Sequence, residues 1–228
     1  NGIAVYVHPK QKQSGMSLIS LGAIEKAKRL ALRNISLLAD AVRQGYQVVT
    51  TEPSAALCIR QEYPNLIDDA DTQLVAENTF DACSYLWDRH VQGELELDFK
   101  PLPYTVGYHL PCHVKAMEQG APTKQLLGLI PGLTVRQIER GCSGMAGTFG
   151  LKKSNFRNSL RAGRPLIQAV REPSLLVGVT ECSACKIQME QGTTKPTVHP
   201  LKLLALANGL MPEFGPLLQS SGEELVVT

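Results

Sequence analysis

Two short stretches of this chain occur twice at a single offset, and that repetition restricts the possible folds more than any other feature. Ser14-Gly15-Met16 returns as Ser143-Gly144-Met145, 129 residues further on. At the same offset Thr51-Glu52-Pro53-Ser54-Ala55 lines up with Thr180-Glu181-Cys182-Ser183-Ala184. The two motifs stand 37 residues apart in both places. Separate motifs sharing one offset mark a duplicated unit, so each half is expected to fold by the same grammar.

In each half a β-like run (Ile3–Val7 in the first, Thr134–Ile138 in the second) leads through a glycine turn towards a helix. Ala27, Leu30, Ala31, Ile35, Leu38 and Val42 recur at helical spacing and predict a helix over Ala23–Gln44, stopped by Gly45. The counterpart in the second half covers about Ser154–Glu172, with less regular spacing. β-rich runs follow at Gln47–Thr50 and Leu175–Thr180, and the second half adds a strand at Thr105–His109 and part of a helix at Lys124–Leu129. Strands alternating with helices of this length predict parallel sheets with right-handed crossovers. The acidic, proline-bearing stretch Asp88–Pro103 is the expected linker. The expected fold class is α/β, with two homologous repeats over residues 1–102 and 103–228, each a small parallel sheet with flanking helices. The first half has no counterpart of the Thr105–Leu129 unit, so the first repeat reads as N-terminally truncated. A chain that opens on Asn1 without Met reads in the same way, as a piece of a longer protein.

Composition narrows the function classes. A net charge of +2 over 228 residues gives no electrostatic footprint for nucleic acid, so no nucleic-acid partner is expected. No apolar run approaches the roughly 18 residues that span a bilayer, and Leu175–Val179 and Leu201–Leu210 are too short or too broken. Six cysteines fall far below the density of a disulfide scaffold. A Cys-x-x-Cys pair in a chain with no recognisable secretory signal reads first as metal or redox chemistry in the cytoplasm. No Ser-His-Asp set, phosphate loop or paired-carboxylate site is present, so no catalytic residue is assigned.

Cys182 and Cys185 follow a predicted strand at the start of a predicted helix, and their spacing lets both sulfurs address one ion or cluster. Cys142 lies in Gly141-Cys142-Ser143-Gly144, where glycines allow the backbone to approach a bulky ligand. Cys112 follows the Thr105–His109 strand after Pro111. All four therefore fall at C-terminal ends of strands, where open parallel sheets place their sites. Four converging thiolates suit a four-iron cluster or tetrahedral zinc. The repeat assigns the site to the second half, because Cys142, Cys182 and Cys185 align with Gln13, Pro53 and Ala56. Cys58 and Cys83 lie in helical stretches with apolar neighbours and read as core packing.

Three stretches around these cysteines, Tyr108–His113, Arg140–Gly150 and Val179–Cys185, resemble the cysteine-rich CCG domain family. That family occurs in iron–sulfur subunits of anaerobic glycerol-3-phosphate dehydrogenase and glycolate oxidase, in heterodisulfide reductase, and in C-terminal regions of FAD-linked D-lactate-type dehydrogenases. The likeness covers nearly all of Tyr104–Gly209. The first half resembles the degenerate first repeat, with Gln13-Ser14-Gly15-Met16 where the family often has Cys-Cys-Gly-Met. The resemblance implies an electron-transfer module with a 4Fe-4S cluster, passing electrons from a flavin dehydrogenase domain or subunit towards a membrane quinone or other acceptor. FAD and a ferredoxin-type iron–sulfur domain would then lie upstream or on a partner, and the module would be cytoplasmic, peripheral at the inner face of the cytoplasmic membrane. The sequence departs from the family at Cys142-Ser143, where the second of a cysteine pair is serine. Four thiols in place of five favour a cubane over a non-cubane cluster, with a structural zinc docking domain as the alternative.

Other candidates are weaker. His113, beside Cys112, is assigned to cofactor binding through a hydrogen bond to the cluster. His109 reads as strand core or as a support to the site, and His199 as the start of the last helix. Lys153, Arg157 and Arg161 recur every four residues and are expected to share one helix face, solvated or docking an acidic redox partner.

Overall fold

A computed structural model describes residues 2–117 and 120–218, in two compact units, Asn1–Leu95 and Glu96–Thr228. No helix among the described residues is long and apolar enough to cross a membrane.

The first unit opens with the short helix α1 (Met16–Ser20) and the long helix α2 (Ile24–Arg43). Ala27, Ala31, Ile35 and Ala39 form the buried stripe of α2, at the spacing that places side chains on one face. Glu25 in the first turn and Arg43 in the last complement the helix dipole, and Gly45, at φ 90°, ends the helix. Strand β1 (Val48–Thr50) follows, then α3 (Pro53–Leu57), a single π-turn over Cys58–Glu62, and α4 (Tyr63–Leu66). Helix α5 (Ala70–Glu77) is capped by Asp69, whose carboxylate accepts from the Thr72 amide at 2.6 Å. Strand β2 (Thr79–Asp81) then pairs in parallel with β1, and Asp81 caps α6 (Ala82–Val91). Ala31, Ile35, Ala39, Cys58, Ile59, Tyr63, Ile67 and Val75 make the core of this unit. Cys58 belongs to it, and burial pushes its thiol up to about 11. Cys83 is equally buried.

The strand expected at Ile3–Val7 is not formed. Residues 2–8 are irregular, and Val5 and Val7 are 83% and 65% exposed. A run of β-forming residues becomes a strand only when a neighbour supplies its ladder bonds, and among the described residues β1 pairs only with β2.

The second unit holds β3 (Thr105–Tyr108), α7 (Cys112–Ala116), α8 (Pro122–Gly128), β4 (Thr134–Gln137) and a 3₁₀ turn at Phe149–Leu151. It continues through α9 (Phe156–Val170), β5 (Val177–Val179), α10 (Ser183–Met189), β6 (Thr197–Val198), α11 (Pro200–Ala207) and α12 (Phe214–Leu218). The four strands form one parallel sheet in the order β4-β3-β5-β6. Strands β3 and β5 are central and mostly apolar, as expected for strands covered on both faces. Ile138, Leu166, Val170, Leu175 and Met189 pack together where α9 and α10 meet the sheet. Both units are thus small parallel sheets with flanking helices, the α/β class read from the sequence.

Helix α9 is shorter than the Ser154–Glu172 expectation. A turn closed by the Asn155 amide on the Lys152 carbonyl precedes it, so Lys153 lies outside the helix and only Arg157 and Arg161 share its exposed face. Strands β2 and β6, of three and two residues, carry too few positions for a period-two pattern to reveal them.

Candidate metal centre

Each cysteine of the expected set is placed by a different device. Pro111, at φ −65° and ψ 150°, ends the β3 connection in extended geometry and serves as the N-cap of α7, making Cys112 its first residue. The loop after β4 carries Cys142 between Gly141 and Gly144, at φ 75° and 85°. Gly144 packs so closely on α9 that a Cβ there would lie 2.2 Å from the Ser159 carbonyl oxygen. Only glycine meets both the positive φ and the close approach at this position. Ser159 fixes the same turn by donating its hydroxyl to the Gly144 carbonyl at 2.9 Å. The Cys142 sulfur accepts the Gly144 amide at 3.2 Å. Cys182 is the N-cap residue of α10, and Cys185 is the third residue of that helix.

The four thiols form one electrostatic set. Burial pushes the Cys112 thiol up, and the neighbouring sulfurs of Cys142 and Cys182 add to the rise. The Cys185 thiol is instead held below its ordinary value, first by a hydrogen bond with Cys182 and then by the Ser143 hydroxyl, which donates to its sulfur at 3.2 Å; burial and the sulfurs of Cys112 and Cys142 oppose that shift. Every member of the set thus interacts with at least two others. Among the described residues, no three His, Cys, Asp or Glu side chains are drawn tightly enough to hold a single metal ion. Cys182 and Cys185 form a buried floor, 8% and 5% exposed, while Cys112 and Cys142 stand at an exposed rim. Four soft sulfur donors in mutual electrostatic reach, with an O–H donor to Cys185 and an N–H donor to Cys142, have the donor chemistry of an iron–sulfur site.

Nothing in the sequence pointed to the buried carboxyl beside this set. Glu181, next to Cys182, is buried and accepts hydrogen bonds from Tyr108 Oη at 2.7 Å and from Thr123 Oγ1. These hydroxyls come from β3 and α8, so the carboxyl joins the ends of three elements. Thr180-Glu181 occurs in both halves as Thr-Glu, and that motif gives no hint of partners so distant in sequence. Ser143 was visible only as the departure from a cysteine pair.

The histidines are placed separately. His113 follows Cys112 in the first turn of α7 and is half-buried. His109 closes β3 in the core, its backbone N–H donating to Val179, and burial pulls its imidazole down to about 4. His199 caps α11, its Nδ1 accepting the Leu201 amide at 3.1 Å, and α12 follows, so it does not start the last helix.

The cysteine-rich domain family matches residues 106–190, a span that contains all four thiols. That match covers 37% of the chain. Around it the likeness to known proteins extends over most of the chain. Across 207 residues, the sequence is 35% identical to the C subunit of anaerobic glycerol-3-phosphate dehydrogenase from Escherichia coli K12, covering 90% of this chain and 52% of that protein. The same protein from Escherichia coli O157:H7 matches to the same extent. A D-2-hydroxyglutarate dehydrogenase of Pantoea ananatis is 24% identical over 189 residues, 80% of this chain but 18% of that protein. The chain spans about half the length of the glycerol-3-phosphate dehydrogenase subunits it matches.

Proposed function

We propose that Cys112, Cys142, Cys182 and Cys185 hold a 4Fe-4S cluster, and that the chain is an electron-relay module of a flavin-linked dehydrogenase. One observation carries the reading: four thiols follow three strand ends of one parallel sheet, within electrostatic reach of one another and inside the span that matches the CCG family. In this reading residues 103–228 form the cluster-bearing repeat, and residues 1–102 a repeat without ligands, since Gln13, Pro53 and Ala56 offer no thiolate.

A bound cluster supplies one-electron transfer, at a potential set by its charge, burial and hydrogen bonds. The residues of the chain supply those settings. Burial of Cys182 and Cys185 keeps water from one side of the site, and the Gly144 amide and Ser143 hydroxyl donate to sulfurs that carry negative charge. His113 is assigned a further hydrogen bond at the Cys112 corner. The exposed rim at Cys112 and Cys142 is the side from which a partner reaches the site.

The relatives suggest that partner. A dehydrogenase subunit or domain bearing FAD oxidises the substrate, with glycerol 3-phosphate as the first candidate from the 35% identity to the Escherichia coli protein. A ferredoxin-type iron–sulfur domain and a membrane quinone are the further carriers of this proposal, at the cytoplasmic face of the membrane.

The test is iron, acid-labile sulfide and zinc content of protein purified without oxygen, with Cys182→Ser alongside. About four irons and four sulfides per chain, lost in the variant, is the expected result. One zinc and no sulfide would replace this reading with a structural zinc docking domain.

A further inference from the structure

Beside the turn that carries Cys142 lies a buried amide with nothing to bond. Gln188 stands on α10 three residues after Cys185, on the same inward face, and is fully buried. Neither its Nε2 nor its Oε1 has a hydrogen-bond partner among the described residues. Buried polar groups are nearly always paired, so each exception calls for a reason. A second unpaired group is close to it. Ser143 is 2% exposed, and its carbonyl accepts no hydrogen bond among the described residues. The two groups meet across Gly163. A Cβ there would lie 2.1 Å from the Ser143 carbonyl oxygen and 2.9 Å from Gln188 Nε2, so those two atoms are at most about 5.0 Å apart. A donor without an acceptor thus stands beside an acceptor without a donor.

The first unit shows how such a carbonyl is served. At the 129-residue offset Ser143 corresponds to Ser14, whose carbonyl accepts the Tyr63 hydroxyl at 2.7 Å. Asn34 donates to the carbonyl of Gln13, one residue earlier, at 3.0 Å. In the second unit the positions of Asn34 and Tyr63 are Gly163 and Gly192, so neither side chain is available there. The exchange runs the other way at one position. Ile59, part of the apolar core of the first unit, corresponds to Gln188. An apolar side chain therefore meets the packing needs of that position, and the amide occurs in the unit that carries the four thiols.

We infer that Gln188 is a positioning residue for the metal centre, a role that rests on the cluster reading: its Nε2 donates to the Ser143 carbonyl and ties the turn bearing Cys142 to the helix bearing Cys185. The contact itself requires no metal. Ser143 supplies the hydroxyl that donates to the Cys185 sulfur at 3.2 Å, and the next amide, that of Gly144, donates to the Cys142 sulfur at 3.2 Å. The carbonyl held by Gln188 lies between these two donors, so one tie steadies both. Donors at ligand sulfur offset the charge that a cluster gains on reduction, and loosening them lowers its potential.

The experiment compares the unaltered chain with Gln188→Met, which is close in volume and removes the amide. In metal-free protein, iodoacetamide labelling of Cys185, read cysteine by cysteine by mass spectrometry, is expected to become about tenfold faster, since loss of one hydrogen bond opens the turn more often. Hydrogen exchange of the central strands β3 and β5 is expected to stay the same. In protein loaded with iron and sulfide without oxygen, the midpoint potential is expected to fall in Gln188→Met, and to fall no further when Gln188→Met is added to Ser143→Ala. Unchanged labelling of Cys185 would overturn the inference. Faster labelling with faster exchange throughout β3 and β5 would do the same, by showing general loss of packing. A loaded variant with an unaltered potential would remove the positioning role, and a further fall in the Ser143→Ala background would remove the route through Ser143. Absence of iron from the unaltered protein would end the cluster reading, while the labelling still decides the contact, so the two failures are separable.

Discussion

Replacing Gly163 with alanine tests how the cysteine loop is seated on α9. A Cβ at this position would lie 2.1 Å from the Ser143 carbonyl oxygen and 2.9 Å from Gln188 Nε2. The first contact is with backbone, so no rotamer change relieves it, and the Cys142–Gly144 loop must move. Overpacking of this kind costs about 3 kcal/mol, at the upper end of the usual range. Alanine in a helix interior returns about 1 kcal/mol. The net loss is about 2 kcal/mol, a fall of roughly 4–8 °C in the unfolding midpoint for a protein of this size. Gly128→Ala is the control. It sits at the end of α8 with nothing within 4 Å of the new methyl, and should gain about 0.5 kcal/mol. Thermal unfolding followed by circular dichroism without oxygen reads both, and iron content reads the displacement of Ser143 from Cys185. A midpoint for Gly163→Ala equal to or above that of the unaltered protein would refute the packing argument.

Two further predictions concern the supports of the site. His109 has its pKa depressed to about 4 by burial, so between pH 6.5 and 4 the unfolded chain binds a proton that the folded chain does not, and stability falls as pH falls through that window. From pH 7 to pH 5 the loss is about 2 kcal/mol, and His109→Leu should flatten that part of the stability profile; an unchanged slope in urea unfolding would exclude His109 as its source. Tyr108→Phe removes a buried donor to Glu181 and should cost about 1–3 kcal/mol in the same assay, whereas an unaltered midpoint would mean that the 2.7 Å contact contributes nothing.

What was legible in the sequence was whatever rests on local periodicity or on chemistry rare enough to stand out. Helix α2 was read to within a residue or so because its apolar stripe runs for five turns and ends at a glycine. The four cysteines stood out in the sequence by their spacing and their positions after strands, and the structure brings them within electrostatic reach of one another. Tertiary pairing was not legible. Ile3–Val7 has good strand residues and pairs with no strand among the described residues, whereas Thr79–Asp81 has little pattern and pairs because β1 lies beside it. The Tyr108–Glu181–Thr123 contact unites residues up to 73 apart in sequence, and no single-sequence signal selects those hydroxyls. Lys153 was placed on a helix face because its spacing fits one, but the turn closing on Lys152 leaves it outside.

The same comparison explains why the first unit lacks more than cysteines. Position 34 corresponds to Gly163 at the offset of the repeat, and there the side chain is an asparagine. Asn34 donates to the Gln13 carbonyl and to Tyr63 Oη, each at 3.0 Å, and accepts the Lys12 amide at 3.3 Å. Tyr63 donates in turn to the Ser14 carbonyl at 2.7 Å. The loop that bears Cys142 in the second unit is thus held in the first by side chains that reach up from the core. In the second it is held by glycine-to-backbone packing, and its polar contacts include donors directed at sulfur. Restoring thiols at Gln13, Pro53 and Ala56 would add ligands to a loop whose carbonyls are already tied to Asn34 and Tyr63. Removing those ties would leave a buried polar deficit worth about 1–3 kcal/mol for each unmade bond. The two loops share an offset and a Ser-Gly-Met motif, but one is tied to side chains from the core and the other rests on glycine-to-backbone packing.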